Sequence, residues 1–267
     1  MRFGYCVNAN FLLAEDLRGR EIFEGVLAAG YDYIETQLTR LLELSPAQYG
    51  GFKKRLADAG APCRAGMMIF PYDMPLVGGD RDLLAVEEHA KRTLCLAADL
   101  GCEVAVFGHG GARAVPGGMD YETAYSRLAD VLRLLGSLAA PYGMKLAVEP
   151  LCDTDMIISY PEAAALAEEC GAGVGAVFDL YHAEALGQAP ADILLSPEKL
   201  FHLHIACPGG RTVPAEMDDG SAYAAFAAAA KQCGYDDKLS VEAGIPDGAD
   251  AAEAAANALG VLRRYFS

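Results

Sequence analysis

The chain has 267 residues, of which 53% are hydrophobic and 22% are charged, and its formal net charge is −16 at pH 7. This composition is typical of a globular protein and excludes a disordered chain, while the strong negative charge argues against nucleic acid as a partner. No apolar run reaches the roughly 18 residues that a membrane span needs, and the start, MRFGYCVNAN, lacks the features of a signal peptide. The eight cysteines form no C-x-x-C pair, so we expect reduced, mostly buried thiols in a cytoplasmic protein.

Strand-like and helix-like segments alternate along the whole chain. The predicted strands are Phe3–Asn8, Tyr31–Gln37, a strand within Ala61–Phe70, Glu103–Gly108, Leu146–Glu149, Gly175–Leu180, Phe201–Ala206 and Lys238–Ala243. The predicted helices are Ala14–Ala29, Pro46–Ala59, Arg81–Leu100, Tyr121–Tyr142, Pro161–Cys170, a broken helix over Ala183–Leu195, Ser221–Cys233 and Ala249–Tyr265. Eight such units without a linker predict a parallel sheet, and at this length they favour one (β/α)₈ TIM barrel spanning residues 1–267 as a single domain. A doubly wound sheet is disfavoured because no Gly-rich dinucleotide turn follows the first strand.

Side-chain alternation within the strands predicts which face lines the barrel. In the seventh strand, Phe201, Leu203 and Ile205 share one face, while His202, His204 and Ala206 share the other. We expect His202 to be a hydrogen-bonded core residue below His204, and His89 to lie on a helix surface. Large aliphatic residues on one face and polar residues near the strand ends on the other predict helices outside and a site at the C-terminal mouth of the strands.

Four predicted strands carry a metal-capable residue near their carboxyl ends. These residues are Glu149, Asp179, His204 and Glu242. Three carboxylates at one level of a barrel would repel each other, and a divalent cation neutralises such a cluster. Oxygen donors with one imidazole suit Mn²⁺ first, with Mg²⁺, Co²⁺ or Zn²⁺ as alternatives.

The placement of the two glutamates predicts proton-transfer chemistry. A substrate that chelates the metal through a keto oxygen and an adjacent hydroxyl has an acidified C–H bond between them, and the resulting enediolate is stabilised. Glu149 and Glu242 lie on strands far apart around the ring, so one can remove the proton and the other can return it on the opposite face. This arrangement fits ketose 3-epimerisation, or aldose–ketose isomerisation if one glutamate performs both steps.

Several motifs resemble a known family. VEP at 148–150, FDLYH at 178–182, HLHIACPGGR at 202–211 and SVEA at 240–243 resemble the sugar isomerase/epimerase branch of the xylose isomerase-like TIM-barrel superfamily, especially ketose 3-epimerases of the tagatose/allulose type and hydroxypyruvate isomerases. The resemblance covers nearly the whole chain, most specifically residues 86–246. It implies that Glu149, Asp179, His204 and Glu242 ligate the metal and that the two glutamates are the acid/base pair. It also implies that His182, in the loop beyond the sixth strand, and Arg211 contact substrate hydroxyls.

The run after Glu149 departs from the family pattern. Relatives continue with Asn-Arg and a further Glu, whereas this chain has Leu-Cys-Asp-Thr-Asp, so Asp155 is the candidate for the role of that substrate-binding Glu. Glu35 at the end of the second strand is a further candidate for a substrate hydroxyl, with a salt bridge as the alternative. His109 and Arg113, in the loop after the fourth strand, are candidates for the cavity mouth, and a solvated histidine is the alternative for His109.

The predicted activity is that of a metal-dependent sugar isomerase or epimerase acting on a small sugar or polyol. GIPDG after the eighth strand lacks a Gly-rich phosphate turn, which favours an unphosphorylated substrate. The alternatives on the same fold are a hydroxypyruvate isomerase and a dehydratase of the inosose or dehydroshikimate type. An abasic-site endonuclease is opposed by five histidines and the acidic charge, and the four-ligand set opposes a non-catalytic barrel. Alanine-rich final helices would permit a homo-oligomer or plain helix-on-barrel packing.

Overall fold

Eight parallel strands close into a barrel in the computed structural model, which describes residues 1–13, 16–78, 80–216 and 220–267. Each strand pairs with the next along the chain, and the last pairs with the first. The strands are β1 Arg2–Val7, β2 Tyr33–Gln37, β3 Cys63–Met67, β4 Val104–Phe107, β5 Lys145–Val148, β6 Val174–Asp179, β7 Leu200–Ile205 and β8 Lys238–Val241. This topology confirms the predicted (β/α)₈ barrel.

The α-helices follow the strands and surround the barrel. They are α1 Leu17–Ala29, α2 Leu38–Leu41, α3 Pro46–Asp58, α4 Leu83–Leu100, α5 Tyr121–Ala139, α6 Tyr160–Cys170, α7 Leu180–Ala185, α8 Ser221–Gln232 and α9 Ala251–Phe266. Gly30 and Gly101 end α1 and α4 in the left-handed region, and Ser45 begins α3 with a capping box. Residues 14 and 15 of the predicted first helix lie outside the described residues.

Two predicted helices are not continuous α-helices in the structure, while the other bounds shift by a few residues. The helix predicted to reach Tyr142 stops as an α-helix at Ala139 and continues as a 3₁₀ turn over Ala140–Tyr142, because Pro141 cannot supply an N–H to the helix. The predicted broken helix over Ala183–Leu195 consists of α7 and a separate 3₁₀ helix over Pro190–Leu195. The first of these begins directly after β6, so His182 lies in a helical turn and not in a loop.

Two layers of buried apolar residues hold the barrel together. Inside it, Tyr33, Ala65, Val104, Ala147 and Val177 belong to one interior cluster. Outside it, the opposite strand faces pack against the helices, and α1 and α9 approach so closely that a Cβ at Gly25 would lie 2.8 Å from the Ala251 carbonyl carbon. Among the described residues no helix combines the length and apolar character that a membrane crossing requires.

The predicted alternation of side chains between the two faces of β7 is wrong at Phe201. Ala176 pairs with Leu200 and Val177 pairs with His202, so Phe201 is the extra residue of a bulge. Its ring therefore packs against the interior cluster instead of sharing the outer face with Leu203. Gly175 provides the space, because a Cβ there would overlap the Phe201 ring.

Two smaller predictions also need correction. His89 is half-buried, with its Nε2 3.1 Å from the carbonyl oxygen of Ile69, so it packs under the loop after β3 instead of lying on the surface. The eight cysteines are present as thiols, but only Cys6, Cys63 and Cys102 are fully buried. Cys95 is exposed on α4, so the thiols are less buried than expected.

Candidate metal centre

The four predicted ligands converge at the C-terminal mouth of the barrel. Glu149 follows β5, Asp179 ends β6, His204 lies in β7 and Glu242 follows β8, and one donor atom from each lies within 4.8 Å of the others. The backbone N–H groups of both glutamates extend the sheet ladder, because Glu149 donates to Phe107 and Glu242 donates to Ile205, each at 3.0 Å. The side chains are therefore positioned by the rigid barrel and not by mobile loops.

The imidazole of His204 lies at the centre of this carboxylate cluster. Its Nδ1 lies 2.8 Å from Glu149 Oε1, 3.2 Å from Glu242 Oε2 and 3.8 Å from Asp179 Oδ2. The two carboxylate oxygens of Asp179 have different partners. Oδ1 accepts the N–H of His182 at 3.1 Å and caps α7, while Oδ2 faces the cluster. The Nη2 atom of Arg211 adds an ion pair with Glu242 Oε2 at 2.7 Å.

Burial and neighbouring charges shift the pKa values of the clustered residues. Burial, followed by the charge of Glu149, raises the pKa of Asp179 to about 6. Burial also acts to raise the pKa of Glu242, but the hydrogen bond and charge of His204, together with Arg211, outweigh it and lower that pKa to about 2. Burial acts to lower the pKa of His204, yet Glu35 and Glu149 hold it well above its usual value.

The donor set fits a divalent cation. Three carboxylates and one imidazole nitrogen face a common point, and all four side chains are buried or nearly so. Hard oxygen donors with a single imidazole suit Mn²⁺, Mg²⁺ or Co²⁺, and also permit Zn²⁺. The Arg211 guanidinium, through its ion pair with Glu242, offsets part of this negative charge.

Below the cluster, Glu35 supports His204 from the other side. Glu35 Oε1 lies 3.2 Å from His204 Nε2, and Glu35 Oε2 lies 2.8 Å from His202 Nε2. Ser240 Oγ donates to Glu35 Oε2 at 2.6 Å and lies 2.7 Å from the Tyr33 hydroxyl. His202 is thus a hydrogen-bonded core residue, as predicted, whereas Glu35 is fully buried and does not reach the cavity.

A cavity of about 290 Å³ opens above the cluster. Glu149, Glu242, His182, Arg211 and Asp153 lie on its wall. Its other polar or aromatic lining residues are Gln37 and Tyr72. Arg211 is further held by the Tyr181 ring, whose centroid lies 5.5 Å from the guanidinium carbon.

His182 presents a hydrogen-bond donor next to this cavity. Its Nδ1 accepts the N–H of Cys152 at 3.1 Å and also lies 3.1 Å from the Cys152 sulfur. Because Nδ1 accepts a backbone N–H, the proton of the neutral ring resides on Nε2. That buried Nε2 has no hydrogen-bond partner among the described residues, which leaves it available to a ligand.

The structure places three predicted substrate-binding residues away from the cavity wall. Glu35 lies under His204, and Asp155 accepts the N–H of Val115 at 3.2 Å. His109 is buried and accepts the N–H of Phe70 at Nε2, and burial, aided by Arg113, lowers its pKa to about 3. Glu35 thus follows the alternative left open by the sequence, a salt bridge, whereas Asp155, His109 and Arg113 do not line the cavity as expected.

Asp153, Gln37 and Tyr72 are the polar or aromatic cavity residues that the sequence did not predict. The period of two along β2 could have indicated Gln37, because it is two residues beyond Glu35 and four beyond Tyr33 on the inward face of the strand. Asp153 and Tyr72 lie in loops, where the sequence carries no periodicity that reports side-chain direction.

Three solved structures are similar over nearly the whole chain. A D-psicose 3-epimerase in the presence of D-fructose is 19% identical, with 100% of this chain and 99% of that chain covered and a TM-score of 0.81. An L-ribulose 3-epimerase is 20% identical over 99% and 94% of the two chains, with a TM-score of 0.79. A 3-keto-D-glucoside 4-epimerase from E. coli is 21% identical over 99% of both chains, with a TM-score of 0.78. At these identities the likeness establishes the fold.

Sequence comparison identifies the family. No curated protein matches the sequence. The profile of the family described as "Xylose isomerase-like TIM barrel" matches residues 23–265, which is most of the chain and includes all four residues of the carboxylate–histidine cluster. The chain therefore belongs to the xylose isomerase-like TIM barrel family.

Proposed function

We propose that the protein is a divalent-cation-dependent ketose 3-epimerase that acts on an unphosphorylated sugar. The observation that carries the proposal is a pair of glutamates, from strands on two sides of the barrel, that meet in one ligand cluster and both face a sugar-sized cavity. Similar barrels of known structure are described as D-psicose and L-ribulose 3-epimerases, which supports the same reaction class here. Mn²⁺ is the cation that we favour.

A bound divalent cation supplies the positive charge that polarises the substrate carbonyl and acidifies the adjacent C–H bond. Glu149, Asp179, His204 and Glu242 would hold it, and the two glutamates would also move the proton. One glutamate takes the proton from C3 on one face of the substrate, and the other returns a proton on the opposite face. The result is inversion at C3 without any change in the position of the carbonyl.

The remaining wall residues bind and orient the sugar. His182 donates through Nε2 to a substrate hydroxyl, and Arg211 keeps Glu242 ionised and in place through the 2.7 Å ion pair. A phosphorylated substrate is disfavoured, because Arg211 is already engaged and Asp153 adds negative charge to the wall.

Proton NMR of a ketose panel in deuterated water, with Mn²⁺-loaded protein, tests the proposal. We expect deuterium at C3 together with the 3-epimer, and a fall in turnover of about 100-fold or more for Glu149→Gln and for Glu242→Gln. Asp155→Asn is the matched control, because Asp155 lies in the same loop but off the cavity wall and bonds Val115. Full activity of Glu242→Gln would overturn the proposal, and loss of water from the substrate would assign a dehydratase instead.

A further inference from the structure

A second cavity shares a wall with the metal-centre cavity. Its volume is about 430 Å³, and both cavities are lined by Gln37, Met68 and Tyr72. It lies among the carboxyl end of β2 and the segments that follow β1, β2 and β3. Each cavity by itself is near the lower end of the volumes of ligand sites, so each is suited to one sugar ring.

The lining of the second cavity has the chemistry of hydroxyl recognition. Asn8 and Asn10 provide amides, and Thr39 provides a hydroxyl. Arg40 is neutralised by Glu43 at 2.9 Å, so no free cation on this wall attracts a phosphate. Amide groups both donate and accept, as sugar hydroxyls do, and therefore pair with them in either direction.

Tyr72 and Met68 form the boundary between the two cavities. Tyr72 is 68% exposed although it is large and aromatic, so its ring offers an apolar surface to a ligand that extends from one cavity to the other. Met68 has a φ of 55°, a left-handed conformation that costs a non-glycine residue energy, and its carbonyl is held by the N–H of Thr39 at 3.0 Å. This hydrogen bond holds Met68 in place at the boundary between the two cavities.

We propose that the second cavity is a subsite for an unreacting glycosyl unit, so that the preferred substrate is a ketose that carries a second sugar. The glycosidic bond must lie on a hydroxyl remote from C2 and C3, because the carbonyl has to remain free for proton abstraction. This assignment rests on the proposed epimerase function for its reacting end. Contacts remote from the reacting carbon raise turnover when their binding energy is used to orient the substrate, which gives the second subsite a catalytic consequence.

The proposal is tested with 6-O-glucosyl-fructose and free fructose as paired probes. We expect the native protein to epimerise the disaccharide with at least about a 10-fold higher kcat/KM than fructose. Asn10→Ala and Asp73→Ala, which alter residues of the second cavity alone, should lower that ratio by about 5- to 10-fold. Asn257→Ala, an exposed asparagine on α9, is the matched control and should leave the ratio unchanged.

A binding measurement separates failure of the subsite from failure of the function. Saturation-transfer NMR on the Glu242→Gln variant should show contacts to the glucosyl protons that weaken in the double variant with Asn10→Ala. Epimerisation of fructose with no preference for the disaccharide, and no glucosyl contacts, would overturn the subsite alone. Glucosyl contacts that depend on Asn10, without turnover of either sugar, would support the subsite and overturn the epimerase function.

Discussion

Glu35→Gln tests how strongly a buried carboxylate beneath the four candidate ligands controls the proposed metal centre. Glu35 is fully buried and uses both oxygens, one facing His204 Nε2 at 3.2 Å and the other facing His202 Nε2 at 2.8 Å and Ser240 Oγ at 2.6 Å. Because Nδ1 of His204 faces the carboxylate cluster, its Nε2–H must donate to Glu35. The carboxylate thereby fixes the tautomer and the ring orientation of His204.

The magnitude follows from the bonds that the substitution changes. Glutamine keeps the shape of the side chain but removes the charge, and its NH₂ group cannot accept the hydrogen bonds that one carboxylate oxygen accepts. A hydrogen bond to a charged group contributes about 1.5–3 kcal/mol, and loss of such a support to a ligating histidine lowers metal affinity by about 10- to 100-fold. We therefore expect the affinity for Co²⁺ and for Mn²⁺ to fall within that range.

Metal titration gives a readout that does not depend on turnover. The visible absorption of Co²⁺ reports both its affinity and its geometry, calorimetry gives the Mn²⁺ affinity, and circular dichroism checks the fold. Ser240→Ala is the matched control, because it removes one hydrogen bond to Glu35 and leaves the carboxylate charge in place. We expect the control to lose less than about 3-fold in affinity. An unchanged affinity in a folded Glu35→Gln protein, or an equal loss in Ser240→Ala, would refute the reasoning.

Two further predictions concern other levels of the barrel. Gly108→Ala places a Cβ against Glu149 Oε2, so we expect metal affinity and turnover to fall more than thermal stability. Gly4→Ala, whose Cβ would overlap the Tyr33 ring, should instead destabilise the fold by about 1–3 kcal/mol. Metal titrations and thermal melts of both variants test this, and equal behaviour of the two would contradict it. Glu103 accepts hydrogen bonds from Arg2 and then, against the cost of burial, from Lys238, which lowers its pKa to about 2 from 4.5. Since the folded pKa is the lower one, this stabilisation is complete above pH 4.5 and disappears as the pH falls towards 2. Glu103→Gln should therefore lower the free energy of unfolding by about 1 kcal/mol or less at pH 7, and urea denaturation should show that difference vanish at acid pH, whereas a pH-independent difference would contradict the assignment.

The barrel and the convergence of the four candidate ligands could be predicted because both follow from local properties of strands. A residue such as Glu149, at the end of a short apolar run closed by Pro150, must lie at the carboxyl edge of a parallel sheet. Phe201 was mispredicted because a bulge moves one residue to the other face, and the period of two that the prediction uses does not carry across it. The run after Glu149 was mispredicted because a loop has no period, so its order of residues did not reveal that Asp153, and not Asp155, reaches the wall.

Glu35 shows a different limit, because its role depends on the residues of strands that are distant in sequence. It lies on β2, while the groups it bonds lie on β7 and β8, so only closure of the barrel brings them together. The carboxylate cluster therefore rests on a polar layer of Glu35, His202 and Ser240 below it. The residues of the second cavity follow β1, β2 and β3 and lie apart from the four ligands on β5 to β8. Changes to these segments should accordingly alter which sugar is accepted while the metal affinity stays the same, and changes at Glu35 should do the reverse.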